Sequence, residues 1–270
     1  MKITQLRNAT AIVELGPHRI LVDPMLAPRG TLPALKLGGG RERNPTVGLP
    51  PAWGALLDTV THCLITHCQK GHFDHLDRAG KRWLRERGIP VICTPHDAGY
   101  LRGRGLNVQP LADSAHAPQP LLGGRVTTVP CRHGRGAVAL LMEHGVGYFL
   151  EMPGEPSLYL SGDTILTPRV LDFVARQQPD VCLVPAGGAR FDLGQEIIMN
   201  AQDVVRLLGV ATGTVVANHL EALSHCPVTR AELLAAAQQA GLGARLRVPG
   251  DGDTLVFTCD ARVQIPALQA

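Results

Sequence analysis

Three histidines and one aspartate lie close together in the segment from His67 to His75. The segment reads His-Cys-Gln-Lys-Gly-His-Phe-Asp-His, so that His72, Asp74 and His75 are nearly adjacent. Imidazole and carboxylate groups are the ligands that zinc, iron and manganese take in proteins. A single histidine in a polar loop is usually a solvated residue, but this grouping indicates a metal site.

Three later segments are built in a similar way, because each predicted strand ends at a residue that could ligate a metal. The strand at 126–129 leads to His133, the strand at 158–160 to Asp163, and the strand at 215–217 to His219. Each segment alone has an ordinary explanation, since Ser-Gly-Asp, for example, is common in turns. Four strand ends of this kind in succession favour one shared site where loops leave a sheet.

This order of residues resembles the metallo-β-lactamase-fold superfamily of metal-dependent hydrolases. That family has a histidine- and aspartate-rich loop, followed by a lone histidine, a bridging aspartate and a final histidine. The early segment 20–24 (Ile-Leu-Val-Asp-Pro) and the ending Pro249–Asp253 are similar to the branch that includes the ascorbate-phosphate lactonases. The resemblance covers nearly the whole chain. It implies an α/β fold, a four-layer αβ/βα sandwich of two mixed β-sheets with helices on the outer faces.

The resemblance also implies the metal ligands, which would hold two divalent ions, zinc or alternatively manganese or iron. The ligands carried over by position are His72, Asp74, His75, His133, Asp163 and His219. One further ligand is open, because the family's first histidine should stand at position 70, where this chain has Lys70. A three-residue insertion would make His67 that ligand, and this interpretation is favoured because His67 follows the strand directly. The alternative is that the ligand is lost and Lys70 takes its place.

A second departure lies at Asn8-Ala9-Thr10, where the lactonase-like branch usually has Gly-His-Ala. It weakens the transfer of any substrate that is specific to that branch.

The implied activity is hydrolysis of an ester, lactone or phosphodiester in a small substrate by a metal-bridged hydroxide. Two ions that share Asp163 would lower the pKa of a water between them toward about 7. Asp74 is predicted to be both a ligand and a proton carrier, so that Asp74 and Asp163 are the predicted catalytic residues. Asp23 is predicted to orient a ligand histidine. Arg132 and Arg190 are candidate contacts for an anionic group of the substrate, with simple surface solvation as the alternative.

Three other functions could use the same residues. A nuclease of this fold is disfavoured, because a formal net charge of +3 and an aromatic content of 4% do not indicate a nucleic-acid surface. A mononuclear iron oxygenase would use the same side chains for redox chemistry, and metal analysis would separate it from a hydrolase. A non-catalytic metal-binding module is disfavoured by the retention of Asp74 and Asp163.

The composition predicts one globular domain over residues 1–270. A hydrophobic content of 45% suffices for a sizeable core, and no Pro/Ser-rich linker divides the chain. No apolar run reaches the roughly 18 residues of a membrane span, and the N-terminus lacks the apolar segment of a secretory signal. Seven scattered cysteines without a Cys-x-x-Cys motif indicate reduced thiols. These features predict a cytoplasmic protein with a small-molecule substrate.

The elements that must position the candidate ligands are mostly short. Strands are predicted at 2–6, 9–15, 19–22, 60–66, 90–94, 125–131, 137–143, 147–151, 157–161, 181–185, 214–218, 245–249 and 254–258. Helices are predicted at 77–88, 96–102, 168–176, 200–208 and 229–240, the last with a capping box at Thr229 and Glu232. Residues 26–53 are rich in Gly and Pro and are predicted to form a long loop.

Overall fold

The computed structural model describes residues 1–36, 42–69, 71–114, 116–140, 142 and 145–259. The strands are β1 (Lys2–Arg7), β2 (Thr10–Leu15), β3 (His18–Val22), β4 (His62–Leu64), β5 (Pro90–Cys93), β6 (Asn107–Pro110), β7 (Gln119–Leu121), β8 (Gly124–Pro130), β9 (Val146–Glu151), β10 (Leu158–Leu160), β11 (Val181–Pro185), β12 (Thr214–Asn218), β13 (Leu246–Arg247) and β14 (Thr254–Val256). The helices are α1 (Trp53–Leu57), α2 (Arg78–Arg87), α3 (Pro95–Arg102), α4 (Pro168–Gln177), α5 (Ala201–Leu208) and α6 (Arg230–Gln239).

The strands form two seven-stranded sheets of similar design. The first has the order β14-β1-β2-β3-β4-β5-β6 and the second the order β13-β12-β11-β10-β9-β8-β7. In each sheet antiparallel strands lead into a parallel group, β3 to β6 in one and β10 to β13 in the other. Because β8 and β10 are both antiparallel to β9, they run in the same direction and end at the same edge.

The two β-sheets and the helices on their outer faces form four layers. The hydrophobic core fills the three interfaces between these layers. Side chains such as Ile20, Tyr148 and Val216 pack between the two β-sheets. Other buried residues pack the second sheet against α4, α5 and α6, and the first sheet against α1, α2 and α3. The predicted sandwich of two mixed sheets with helices outside is confirmed. Residues 1–270 as a single domain stay a prediction.

Local sequence signals explain where the helices begin and end. Helix α2 begins after Asp77, whose side chain accepts a hydrogen bond from the Gly80 amide at 2.7 Å, and ends at Gly88 with φ of 61°. The capping box predicted for α6 is present, with Thr229 and Glu232 bonded reciprocally.

The strand predicted at 137–143 is wrong. Residues Gly136–Leu140 form a short 3-10 helix instead, and residues 141, 143 and 144 lie outside the described residues. Gly134 and Gly136 have φ values of 124° and 59°. These conformations turn the chain away from β8, so that the residues after Gly136 do not pair with that strand. The apolar run that suggested a strand is partly exposed, and Leu140 is 84% accessible.

Other predictions differ from the structure in length or were missed. The strand predicted at 60–66 pairs only over β4, and that predicted at 245–249 only over β13. The short elements β6, β7 and α1 were not predicted. All seven cysteines are free thiols, and no helix in the described part of the chain is long and apolar enough to cross a membrane.

Candidate metal centre

The structure brings the seven candidate ligands together when His67, and not Lys70, is counted as the first ligand. Their donor atoms form two adjacent sets. The atoms within each set lie within 4.8 Å of one another, and the sets are His67, His72 and His133 on one side and Asp74, His75, Asp163 and His219 on the other. All seven side chains are buried. Lys70 lies outside the described residues.

Both sheets contribute to each set, because the relevant strands end at one edge of the sandwich. The loop between β4 and α2 supplies the residues from His67 to His75, while His133, Asp163 and His219 follow β8, β10 and β12. The close approach of the loops requires glycine at position 162, where a Cβ would lie 2.7 Å from the Val146 carbonyl oxygen. Four separate stretches of sequence therefore meet at one place.

The three-histidine set has its ring nitrogens in orientations that suit metal binding. The Nδ1 atoms of His72 and His133 lie 2.7 Å and 2.8 Å from the carbonyl oxygens of Gln69 and Ile197. These carbonyls accept from Nδ1–H, which leaves the Nε2 lone pairs of both rings facing each other at 3.1 Å. The Nε2 of His67 is buried without a hydrogen-bond partner in the described structure. A cation at this position would take the unpartnered Nε2 of His67 as a ligand together with the rings of His72 and His133.

The protonation states of this set agree with that interpretation. Burial lowers the pKa of His67 well below its usual value, and the neighbouring His75 and His72 lower it further. Burial also lowers the pKa of His133. Neutral imidazole is the form that binds metal ions.

In the second set, Asp163 lies between the two groups of histidines. Its Oδ2 is 3.1 Å from His75 Nε2, 3.5 Å from His219 Nε2 and 3.7 Å from His133 Nε2. The Asp74 Oδ2 is also 3.5 Å from His219 Nε2. One carboxylate that reaches both sets has the placement expected of a group shared by two ions.

In this set, each charged side chain stabilises the charged form of its neighbours. Burial raises the pKa values of Asp74 and Asp163, but the neighbouring histidines outweigh it and hold both well below the usual range. Burial lowers the pKa values of His75 and His219, but the carboxylates outweigh it and hold both well above the usual range. The carboxylates thus favour the protonated form of the histidines, and the histidines favour the ionised form of the carboxylates. A divalent ion would supply the same positive charge to these donors once the histidines are neutral.

Asp23 orients His75, as its position at the end of β3 predicts. The His75 Nδ1 lies 2.9 Å from Asp23 Oδ2, and Thr66 donates to the same carboxylate from its backbone amide at 2.9 Å and its hydroxyl at 2.6 Å. An aspartate behind a ligand histidine fixes the tautomer and the ring orientation. Asp23 itself adopts a left-handed φ of 44°, a strained conformation that these hydrogen bonds offset.

Asn8 is a residue of the centre that sequence reasoning did not identify. Its side-chain Nδ2 donates to the Asp74 carbonyl at 3.1 Å and lies 3.5 Å from His219 Nε2, while its carbonyl accepts from the His219 amide at 3.0 Å. It is fully buried, with a left-handed φ of 55°. Asn8 therefore ties two ligand loops from different sheets to each other. The only sequence signal for Asn8 was its place in the segment Asn8-Ala9-Thr10, where the lactonase-like branch usually has Gly-His-Ala.

The Asn8→Gly variant is expected to keep its fold but to bind zinc about tenfold more weakly. Glycine suits the left-handed backbone, while loss of the side-chain amide removes the hydrogen bond that holds the Asp74 loop. Zinc titration of metal-free protein by calorimetry measures this affinity. Leu122→Gly is the control, because Leu122 also has a left-handed φ, of 52°, in the β7–β8 turn. Equal zinc affinity in both variants would contradict a role for the Asn8 amide.

The two predicted arginine contacts stay predictions. Both side chains are exposed. Arg132 is held through its backbone, whose amide donates to the Thr164 hydroxyl at 3.1 Å. Arg190 lines a cavity of about 360 Å³ together with Glu196 and Asn200, and none of the seven clustered residues borders that cavity.

Comparison with known proteins agrees with the fold. The model of the beta-lactamase superfamily domain matches residues 18–220. UPF0173 protein YddR of Bacillus subtilis is 31% identical, over 95% of this chain and 100% of its own length. A UPF0173 metal-dependent hydrolase of Azorhizobium caulinodans is 30% identical, over 94% of this chain and 99% of its own length.

The solved structures include a neighbour of similar extent. The isothiocyanate hydrolase from Delia radicum gut bacteria superposes with a TM-score of 0.85 at 29% identity, covering 96% of this chain and 100% of that one. The hydrolase class and the superfamily predicted from the residues are thereby confirmed. The chain belongs to the beta-lactamase superfamily and, within it, to the UPF0173 family of metal-dependent hydrolases.

Proposed function

We propose that the seven clustered residues hold two divalent ions, most simply zinc, and that the protein hydrolyses a small electrophilic substrate there. The observation that carries this proposal is the pair of buried donor sets joined by Asp163. Three histidines in one set, and two histidines with two carboxylates in the other, are donors that zinc prefers. When bound, the ions would act as Lewis acids and would lower the pKa of a water toward about 7.

The residues of the chain would share the remaining work. Asp163 holds His75 and His219 at fixed distances and offsets positive charge between the sets. Asp74, whose Oδ2 is 3.8 Å from His75 Nε2, is the ionised carboxylate that can take up a proton at Oδ2 and return it to the leaving group. Asp23 keeps His75 in the tautomer that presents Nε2. Burial shields the seven side chains from bulk solvent.

The bond that is cleaved belongs to an ester, a lactone or a phosphodiester in this proposal, because all three need water activation and a stabilised leaving oxygen. A second candidate is an isothiocyanate, whose central carbon also adds water. The neighbour named as an isothiocyanate hydrolase favours this candidate, since it matches this chain over its whole length at 29% identity.

Metal analysis followed by a substrate screen tests the proposal. We expect about two equivalents of zinc in the purified protein, and turnover of at least one of p-nitrophenyl butyrate, a γ-lactone, bis(p-nitrophenyl) phosphate and benzyl isothiocyanate. A chelator should remove the activity and added zinc should restore it. Full metal content without turnover of any of these substrates would count against an enzyme of this kind. Tightly bound iron with oxygen consumption would indicate an oxygenase instead.

A further inference from the structure

A cavity of about 420 Å³ lies beside the candidate metal centre and reaches His72. His72 is the most exposed of the seven clustered residues, with 9% of its surface accessible. Pockets for small ligands have volumes of about 300–1,000 Å³. The cavity therefore has the size for a small organic molecule with one end at His72.

Two cations of helix α2, Arg78 and Lys81, line this cavity one helical turn apart. The Lys81 Nζ donates to the Tyr100 hydroxyl at 3.1 Å and lies 5.5 Å from the centre of the Tyr100 ring. Tyr100 also borders the cavity, and its hydroxyl accepts from Lys81 and so keeps its own hydrogen for another acceptor. This arrangement presents one ammonium group and one hydroxyl donor in fixed positions.

Among the described residues, neither cation has a carboxylate partner that would neutralise it. Within the described ranges, no carboxylate lies within 4.0 Å of the Arg78 or Lys81 side-chain nitrogens. Asp77 borders the cavity as well, but its two carboxylate oxygens accept from the backbone amides of Gly80 at 2.7 Å and Ala27 at 2.6 Å. Helix α2 carries five Lys and Arg residues against one Glu, an excess of positive charge that favours anions near this wall.

The rest of the lining is largely apolar. Leu32, Pro33, Phe73 and Leu76 border the same cavity. Pockets of this composition take ligands with an apolar body and a few polar groups at defined positions.

We propose that this cavity is the substrate pocket and that Lys81, Arg78 and Tyr100 bind an anionic group, a carboxylate or phosphate, on the non-reacting part of the substrate. The inference rests on the proposed function, because His72 belongs to the proposed metal set. The substrate class is thus a small organic acid or phosphate ester, with a short apolar body between its anionic group and the bond that is cleaved.

Binding of simple anions to the metal-loaded protein tests this inference without any turnover. The probes are phenylphosphonate and phenylacetate, with benzyl alcohol as the neutral comparison, measured by calorimetry at low salt. Lys81→Met keeps the apolar stem and removes the charge. It is expected to raise the Kd of one or both anions about tenfold, the loss of one charged hydrogen bond. The more strongly affected probe identifies the group that the pocket prefers.

The matched control is Arg82→Met, which removes an exposed cation of the same helix that does not line the cavity. It should leave both Kd values unchanged, and Arg78→Met should act like Lys81→Met. Equal effects of Lys81→Met and Arg82→Met would show general attraction by the helix and overturn the inference. Unchanged Kd values in every variant, or benzyl alcohol bound as tightly as the acids, would overturn it too. Anion binding through Lys81 in a protein that hydrolyses nothing would refute the proposed function alone.

Discussion

The Asp163→Asn variant is expected to lose at least about 99% of its metal-dependent turnover and about one of two metal equivalents, while its fold persists. The Asp163 Oδ2 lies close to histidines of both sets, at 3.1 Å from His75 Nε2 and 3.7 Å from His133 Nε2. An amide keeps the size of the group but removes the negative charge that would hold a second ion. The strand β10 that precedes it is paired through its backbone with β9 and β11 and does not depend on this side chain.

Metal analysis, thermal melting and turnover of the substrate found in the screen measure this outcome. The matched control is Asp172→Asn, an exposed aspartate on α4 whose partner Arg176 lies at 3.7 Å on the surface. This control should keep its metal, its melting temperature and its activity. Full metal content and full turnover in Asp163→Asn would make Asp163 an ordinary turn residue. The proposal would then reduce to a mononuclear centre built on histidines.

The His67→Ala variant is expected to lose about one metal equivalent, whereas Lys70→Ala is expected to lose none. The His67 Nε2 is buried without a partner in the described structure and belongs to a set with His72 and His133. Removal of this ligand leaves two histidines, too few for a closed zinc site. This result would establish that His67 is the first ligand and that the loop carries an insertion.

His67→Ala and Lys70→Ala are compared directly in the same metal analysis. His67→Gln is a further variant that fills the buried space, so that loss of metal can be separated from loss of packing. If Lys70→Ala loses metal and His67→Ala does not, the first ligand of the family is missing from this chain.

The parts of the centre that follow strand ends could be predicted from the sequence. The types of residues and their order along the chain indicated His133, Asp163 and His219, because parallel strands bring their ends to one edge. The boundaries of α2 could be predicted as well, because Asp77 is a local signal for the start of a helix and Gly88 a local signal for its end.

Contacts between distant segments could not be predicted in this way. Asn8 meets His219 across 211 positions, and no local pattern marks that contact. Lys81 lies on a helix that the sequence predicted only as a charged helix. Periodicity shows which side of a helix faces solvent, but it does not show that a cavity lies beside that side. The strand expected at 137–143 failed for a related reason, since the apolar residues at 137–140 form a 3-10 helix and do not pair with a neighbouring strand.

Each donor set draws ligands from the loops of both sheets, so an ion bound there is also a cross-link between the two halves of the sandwich. Binding that occurs only in the folded state adds to the free energy of unfolding, by about 2.7 kcal/mol per site when the free ion is at one hundred times its Kd. Resistance to proteolysis should therefore rise and fall with the ion supply. Chains that have not acquired their ions would be degraded first, and the surviving population would be enriched in loaded protein.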